Sequence, residues 1–354
     1  MSQDVRPAAG LVVIGASAGG VEALRTVVSG LRADLAACVL VVMHLAPEST
    51  SALPAILGRA AQLPVRHARD GDRLRAGTVL VAPPDHHLVV LDGRVTLTHG
   101  PRENGHRPAV DVLFRSAARS WGPRVVAVVL SGSRDDGAAG AVAVGATGGR
   151  VVVQSDALFD SMPRATMAAD DPGASVPARD VADVLHDWVQ DLAAADDLAP
   201  GPEPSALMEL EVGAASLDPR AMHRHDRPGE AAGLGCPDCA GSLFRIEEGG
   251  LVRFRCRVGH AWSAEGLLAR QGVALESALW TALRSLEEKA ALAADLERRA
   301  AEDGREHTAE RFRTGSAEAT RAAEVLRELL EDLGPGRFVG VKESPTTDRP
   351  TDQV

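Results

Sequence analysis

The sequence predicts an α/β protein built on a doubly wound, mostly parallel sheet, with a smaller cysteine-bearing unit and a helical hairpin behind it. From Leu11 to about Leu192, short β-branched runs alternate with amphipathic alanine- and leucine-rich segments, the order expected when helices cover a parallel sheet. Most of these runs are continuously apolar, as in strands buried on both faces. The chain has 354 residues, more than the roughly 100 to 200 of one domain.

The strands are expected at Leu11 to Gly15, Cys38 to Met43, Thr78 to Ala82, Arg124 to Ser131 and Arg150 to Gln154. Helices fill the gaps at Gly20 to Val28, Ser51 to Ala61, Pro108 to Ser120 with proline in the first turn, Gly137 to Ala143, and Val181 to Leu192. His87 to Leu91 and Val95 to Thr98 flank Asp92-Gly93, a hairpin turn signal. The first domain therefore runs over 8–192. Residues 193–232 are rich in Ala, Asp, Pro and Gly, with eight acids against three arginines, and read as an acidic linker. A cysteine unit follows at 233–262. Leu268, Leu275, Leu279, Leu283 and Leu286 then mark a long amphipathic helix, interrupted at Gly304 and followed by a charged helix from about Thr308 to Leu333. This hairpin spans 263–333, and 334–354 reads as a disordered tail.

Composition excludes several classes of function. Lys plus Arg number 38 and Asp plus Glu 49, for a net charge of −11, so no overall basic field draws the chain to nucleic acid or anionic lipid. Six phenylalanines, four tryptophans and no tyrosine leave no stacking platform for single strands. The longest uncharged apolar stretch, Leu35 to Pro47, falls short of the roughly 20 residues that span a bilayer. Met1 to Gly10 holds Asp4 and Arg6 without an apolar core, so no secretory signal is visible and a cytoplasmic location is expected.

The first candidate site begins at Gly15-Ala16-Ser17-Ala18-Gly19-Gly20. This turn joins a strand to a helix, presents a hydroxyl at the sheet's edge, and aims free N–H groups at a phosphate or an oxyanion. A dinucleotide site wants glycine where Ser17 stands and an acid at the end of the second strand, where His44 stands. Both departures favour a nucleophile, because a serine needs an imidazole to remove its proton. A third group should orient that imidazole, and Ser131-Gly132-Ser133-Arg134-Asp135-Asp136-Gly137 supplies carboxylates at the end of another strand. Each residue has a plainer reading: Ser17 as a turn cap, His44 as a satisfied side chain, Asp135 or Asp136 as the cap of the next helix.

These segments, together with Met43-His44-Leu45-Ala46-Pro47, Ala82-Pro83-Pro84-Asp85-His86-His87, Arg107-Pro108-Ala109-Val110-Asp111-Val112-Leu113-Phe114 and Leu130 to Gly140, resemble the catalytic domain of the chemotaxis protein-glutamate methylesterases (CheB). The resemblance covers about Leu11 to Leu192. It implies Ser17 as nucleophile, His44 as general base and Asp136, which directly precedes Gly137-Ala138, as orienting acid, with Asp135 the competitor. It also implies glutamate γ-methyl esters on chemoreceptor helices as substrate, glutamine deamidation in some members, and no catalytic cofactor. Oxyanion donors are expected among the N–H groups near Ala18 or Ser133. This chain has Ala18 where the family often has Thr, and Ser133-Arg134 where it often has Met-Gly. Only about ten residues precede the first strand, so the family's amino-terminal phosphoreceiver, and with it phosphorelay control, is expected to be absent.

The second candidate site is Cys236-Pro237-Asp238-Cys239, then Cys256-Arg257-Val258-Gly259-His260 after sixteen residues. Two knuckles at this spacing can wrap a tetrahedral ion, and three thiolates with one imidazole suit a structural Zn²⁺. Leu243 to Ile246 and Leu251 to Phe254 around Gly249-Gly250 read as a short hairpin, so the unit resembles a zinc ribbon. Cys38, in an apolar strand, reads as packing. The leucine-striped helices read as a packed hairpin, or as a surface for a signalling partner or self-association. The reading from another class is a non-catalytic receptor-docking module whose C-terminal helices recruit a partner.

Overall fold

The computed structural model describes residues 8–48, 51–195, 199–222 and 229–333. The chain divides into two units after Leu267. The first is organised by a seven-stranded sheet of β1 (Gly10–Ala16), β2 (Ala37–Met43), β3 (Val65–His67), β4 (Thr78–Val81), β7 (Val125–Val129), β8 (Arg150–Gln154) and β9 (Ala174–Val176). A separate hairpin joins β5 (His87–Leu91) and β6 (Arg94–Thr98). The sheet order is β3-β4-β2-β1-β7-β8-β9 and every pairing is parallel. The chain leaves β1 to one side for β2 and β4, then returns to its other side at β7. Parallel sheets of this kind open a crevice where the order reverses, at the carboxyl ends of the strands.

Both faces of the sheet are covered, which is why its strands read as unbroken apolar runs. On one face, Val12, Ile14, Val39 and Val41 pack with Leu24, Val27 and Val28 of α1 (Gly20–Gly30), Leu57 of α2 (Leu53–Gly58), and Leu185 and Val189 of α6 (Ala178–Ala194). On the other, Leu11, Val13, Leu40 and Ala127 pack with Leu113 and Phe114 of α3 (Val110–Trp121), Val144 of α4 (Ala138–Ala146), Met162 of α5 (Ser161–Ala169) and Val89 of the hairpin. Alternate residues of each strand thus serve opposite cores. The five expected strands fall on observed ones. Helix α2 is shorter than expected, and the three-residue edge strands β3 and β9 and helix α5 were not anticipated.

The linker expectation for 193–232 needs correction. Helix α7 (Ala206–Ala215) lies within it, capped by Ser205, whose Oγ accepts from Met208 N at 3.1 Å. Met208, Val212 and Ala215 join the sheet's core, and Thr98 Oγ1 donates to Ala215 O at 2.6 Å. The short α8 (Pro219–Met222) follows. Next comes a four-stranded antiparallel sheet of β10 (Glu230–Gly235), β11 (Ser242–Glu248), β12 (Leu251–Cys256) and β13 (Ala261–Ser263). It belongs to the first unit, so the cysteine-bearing sheet is joined to the α/β domain by packing as well as by chain.

The second unit is built by helices α9 (Ala264–Glu302) and α10 (Glu306–Leu333). Arg313 meets Glu297 at 2.6 Å and Arg327 meets Glu287 at 2.6 Å, while Ala300, Ala309, Ala319 and Ala323 are buried. Of the leucine stripe only Leu283 is buried; Leu268 and Leu275 are exposed. The expected tail, 334–354, lies outside the described residues.

Candidate active site

Strand β1 delivers Ser17 to the crevice, and Gly19 makes the turn into α1 by adopting a left-handed φ of 70°, a conformation glycine enters without steric cost. Close packing sets the turn as well: Ser17 N donates to Ser131 O at 2.9 Å, tying the end of β1 to the loop after β7. A side chain at Gly132 would overlap Met162 Sδ and crowd Ser17 Cβ. His44 follows β2, anchored by its N–H to Ala16 O at 3.2 Å. Asp136 lies in the loop between β7 and α4, just before Gly137, whose left-handed φ of 103° starts that helix.

The three side chains meet. His44 Nδ1 lies 3.0 Å from Ser17 Oγ, and His44 Nε2 lies 2.7 Å from Asp136 Oδ2. Asp136 is buried and its carboxylate also accepts from Val110 N at 2.7 Å, Asp111 N at 3.2 Å and Asn104 Nδ2 at 3.2 Å. Two of these donors are free N–H groups in the first turn of α3, where the helix dipole favours an anion. Burial works to raise the Asp136 pKa, but the bond to His44, the nearby imidazoles and the Val110 N–H outweigh it and hold the carboxyl well below the usual carboxylate range. Asp135 is not on this chain of bonds; its Oδ1 accepts from Ser263 Oγ at 2.7 Å, and burial pushes its carboxyl up to about 6.

Three neighbours were not singled out from the sequence. His106 stacks on His44 with ring centroids 3.6 Å apart and planes 4° from parallel. Burial, then the charge on His44, depresses its pKa to about 3, so a neutral imidazole backs the one that would carry charge. Asp111 accepts from Gly137 N at 3.0 Å and Gly140 N at 2.7 Å, and burial followed by the charge of Asp136 raises its pKa well above the ordinary value. Asn104 donates to both carboxylates. Asn104-Gly105-His106 is a turn signal ahead of a helix, which could have marked the loop but not its partners. The motif blocks around Asp85 and Arg107 also meet, through Arg107 Nε and Nη2 to Asp85 Oδ1 at 3.0 and 2.8 Å.

The family model described as CheB methylesterase matches residues 12–185. Residues 12–185 belong to the CheB methylesterase family. The relative from Symbiobacterium thermophilum, named protein-glutamate methylesterase/protein-glutamine glutaminase, is 40% identical over 178 residues, 49% of this chain and 49% of its own. The Pseudomonas aeruginosa protein of the same name, numbered 2, is 41% identical over 160 residues, 44% of this chain and 46% of its own. The crystal structure of the Thermotoga maritima CheB methylesterase catalytic domain is 31% identical and similar with a TM-score of 0.48, covering 50% of this chain and 97% of that one. This chain spans about half the length of the curated relatives it matches.

The second site is also assembled. The donor atoms of Cys236, Cys239, Cys256 and His260 all lie within 4.8 Å of one another. Cys239 Sγ is 3.6 Å from Cys256 Sγ, and His260 Nδ1 is 3.7 Å from Cys236 Sγ and 3.6 Å from Cys256 Sγ. A tetrahedral Zn²⁺ with Zn–S near 2.3 Å separates its sulfurs by roughly 3.8 Å, close to these three separations, so the donor set is compatible with that ion. Cys38 is buried in β2 among core side chains, far along the chain from this group. No helix among the described residues is long and apolar enough to cross a membrane.

Proposed function

We propose that the chain is a serine esterase that hydrolyses glutamate γ-methyl esters on methyl-accepting chemoreceptor-like proteins, and that it also deamidates glutamine side chains. The observation that carries this reading is the hydrogen-bonded chain from Ser17 through His44 to a buried, anionic Asp136 at the sheet's switch point. In this reading Ser17 Oγ attacks the ester carbonyl while His44 Nδ1 takes its proton. His44 then gives that proton to the departing methoxide, releasing methanol and leaving glutamyl-Ser17. Water, deprotonated by His44, attacks the acyl-enzyme and frees glutamate. With glutamine as substrate the first leaving group is ammonia. Asp136 keeps the proton of neutral His44 on Nε2, so that Nδ1 is free to accept, and stabilises the imidazolium. Backbone N–H groups near Ala18 or Ser133 are assigned to the developing oxyanion. The relatives named protein-glutamate methylesterase support the substrate class.

Cys236, Cys239, Cys256 and His260 are assigned to Zn²⁺, which with four protein ligands has no open position and supplies folding energy, not chemistry. The four free cysteines among the described residues suit a reducing, cytoplasmic compartment. Exposed Leu275, Trp280 and Leu292 on α9 support a role for the helical unit in association with a signalling partner or a second copy.

The test is methanol release from a methylated receptor fragment by the wild-type protein and by Ser17→Ala, with metal content measured on both. Loss of release by a folded Ser17→Ala protein is expected, with one zinc per chain in each. Equal release from the two proteins would end the esterase assignment, and a folded wild type without zinc would end the metal assignment.

A further inference from the structure

Asn104 links the two sites. It sits in a left-handed turn, φ 52°, in the loop between β6 and α3, and its side chain is buried. Nδ2 donates to Asp136 Oδ1 and to Asp111 Oδ2, each at 3.2 Å, while Oδ1 accepts from Ser263 N at 2.8 Å. Ser263 is the last residue of β13. The loop is also held along its backbone, since Asn104 N donates to Ala261 O at 2.8 Å and Ala261 N donates to Arg102 O at 3.3 Å. Strand β13 therefore runs beside the loop as an added strand.

Strand β13 is in turn fixed by its pairing to β12, and β12 is locked to the α/β domain by buried ion pairs. Arg255 donates to Glu103 Oε1 at 2.8 Å and to Glu211 Oε1 at 2.9 Å, and its Nη1 donates to Gly259 O at 2.7 Å. Arg253 donates to Glu211 Oε1 at 2.8 Å, and Arg115 of α3 pairs with Glu103. Arg255 and Gly259 are the immediate neighbours of Cys256 and His260. An amide whose oxygen is pinned by Ser263 N–H must turn its NH₂ toward Asp136; without the pin it can flip and set oxygen against the carboxylate.

Taking the esterase reading as its basis, we propose that Asn104 is a positioning residue for Asp136, and that the Cys₃His sheet is a built-in strut that holds Asn104 in its productive orientation. The α/β domain then depends on the C-terminal sheet for turnover as well as for packing. Asn104 acts through Asp136 on His44. The other titratable or charged groups that act on Asp136, or on the His106 ring stacked against His44, are His87, His106, Asp111, Asp135, Arg102 and Arg134. Loss of one donor makes Asp136 a stronger acceptor from His44, so the imidazole stays protonated to higher pH and the acid limb of the rate profile moves up.

The experiment uses the full chain in two assays: the rate of Ser17 labelling by a fluorophosphonate, and methanol release from the methylated receptor fragment, each followed against pH. Asn104→Leu and Ser263→Pro, which removes the pinning N–H along with the hydroxyl bonded to Asp135, are compared singly and together against a Ser263→Ala background that lacks the hydroxyl alone. Asn104→Ser is used if Asn104→Leu does not fold, and urea unfolding checks each variant. Each single change should lower both rates by roughly 10- to 100-fold, the weight of a hydrogen bond to a charged group, and shift the acid limb upward. The double variant should lose no more than either single, because both act through one amide. Folded variants with wild-type rates and an unshifted limb, or losses that multiply in the double variant, overturn the proposal and leave the esterase reading standing. A wild type that neither labels at Ser17 nor releases methanol overturns the esterase reading and this proposal with it.

Discussion

Replacing Asp136 by asparagine tests the site most directly, because the structure dictates where the amide must turn. Four donors converge on the carboxylate: His44 Nε2 and Val110 N on Oδ2, Asp111 N and Asn104 Nδ2 on Oδ1. An asparagine offers one acceptor and one NH₂, so one pair of donors must face nitrogen. Turning the NH₂ toward Asp111 N and Asn104 strands two donors. Turning it toward His44 and Val110 strands only the Val110 N–H, since His44 can move its proton from Nε2 to Nδ1 and accept from the amide. The second orientation wins. It leaves one buried donor unpaired, a cost of about 1–3 kcal/mol, and points an N–H at Ser17 instead of a lone pair, a tautomer error worth about 10⁴-fold in kcat. Because the Asp136 carboxyl is held below its ordinary value, its charge contributes stability above the normal carboxylate pKa that is lost in acid. The stability gap between the two proteins should therefore be widest near neutrality and narrow below about pH 4. Methanol release at saturating receptor fragment and urea unfolding across pH measure both effects. An asparagine variant with kcat within tenfold of wild type would refute the argument that this carboxylate sets the tautomer.

Asp135→Asn should behave in the opposite way. Burial raises the Asp135 carboxyl from 3.8 to about 6, so the folded state holds its proton more tightly and stability falls as pH rises through roughly 4 to 6. Asparagine still accepts from Ser263 and removes that loss, so the variant should be more stable than wild type at pH 7 by up to about 3 kcal/mol and active within a few fold; parallel pH slopes in urea unfolding would contradict this. Gly15→Ala would drive its Cβ into Val110 Cγ1, displacing the residue whose N–H holds Asp136. A stability loss of about 1–3 kcal/mol from overpacking together with reduced methanol release is expected, and thermal unfolding beside the activity assay checks the pair.

The central strands were legible because a strand covered on both faces must be continuously apolar, as Cys38 to Val42 and Val125 to Val129 are. The edges were not: Val65–His67 and Ala174–Val176 are three residues long, partly exposed and without a pattern. The stretch read as a linker shows the limit most clearly. Helix α7 carries Glu211 in its middle, an acid that reads as solvent-facing, yet it is buried because Arg115, Arg253 and Arg255 surround it. Those arginines lie 42 to 44 residues further on in β12, or on α3, and no local window contains them.

By itself the sequence determined which segments are the central strands, that Ser17 ends the first in a tight turn, that His44 and the Asp135-Asp136 pair follow others, and that three cysteines and a histidine have metal-ligand spacing. These are consequences of local chemistry: burial sets the apolar runs, φ sets the glycines, and reach sets the knuckles. Only the tertiary structure decided that Asp136 lies against His44 while its neighbour Asp135 turns to Ser263, and that Asn104 joins the two sites. Adjacent residues in a loop point to opposite sides, and the bond from Ser263 to Asn104 closes a separation of 159 residues. Such a bond leaves no periodicity behind, because its partners are chosen by how the layers pack rather than by what stands next to them in the chain.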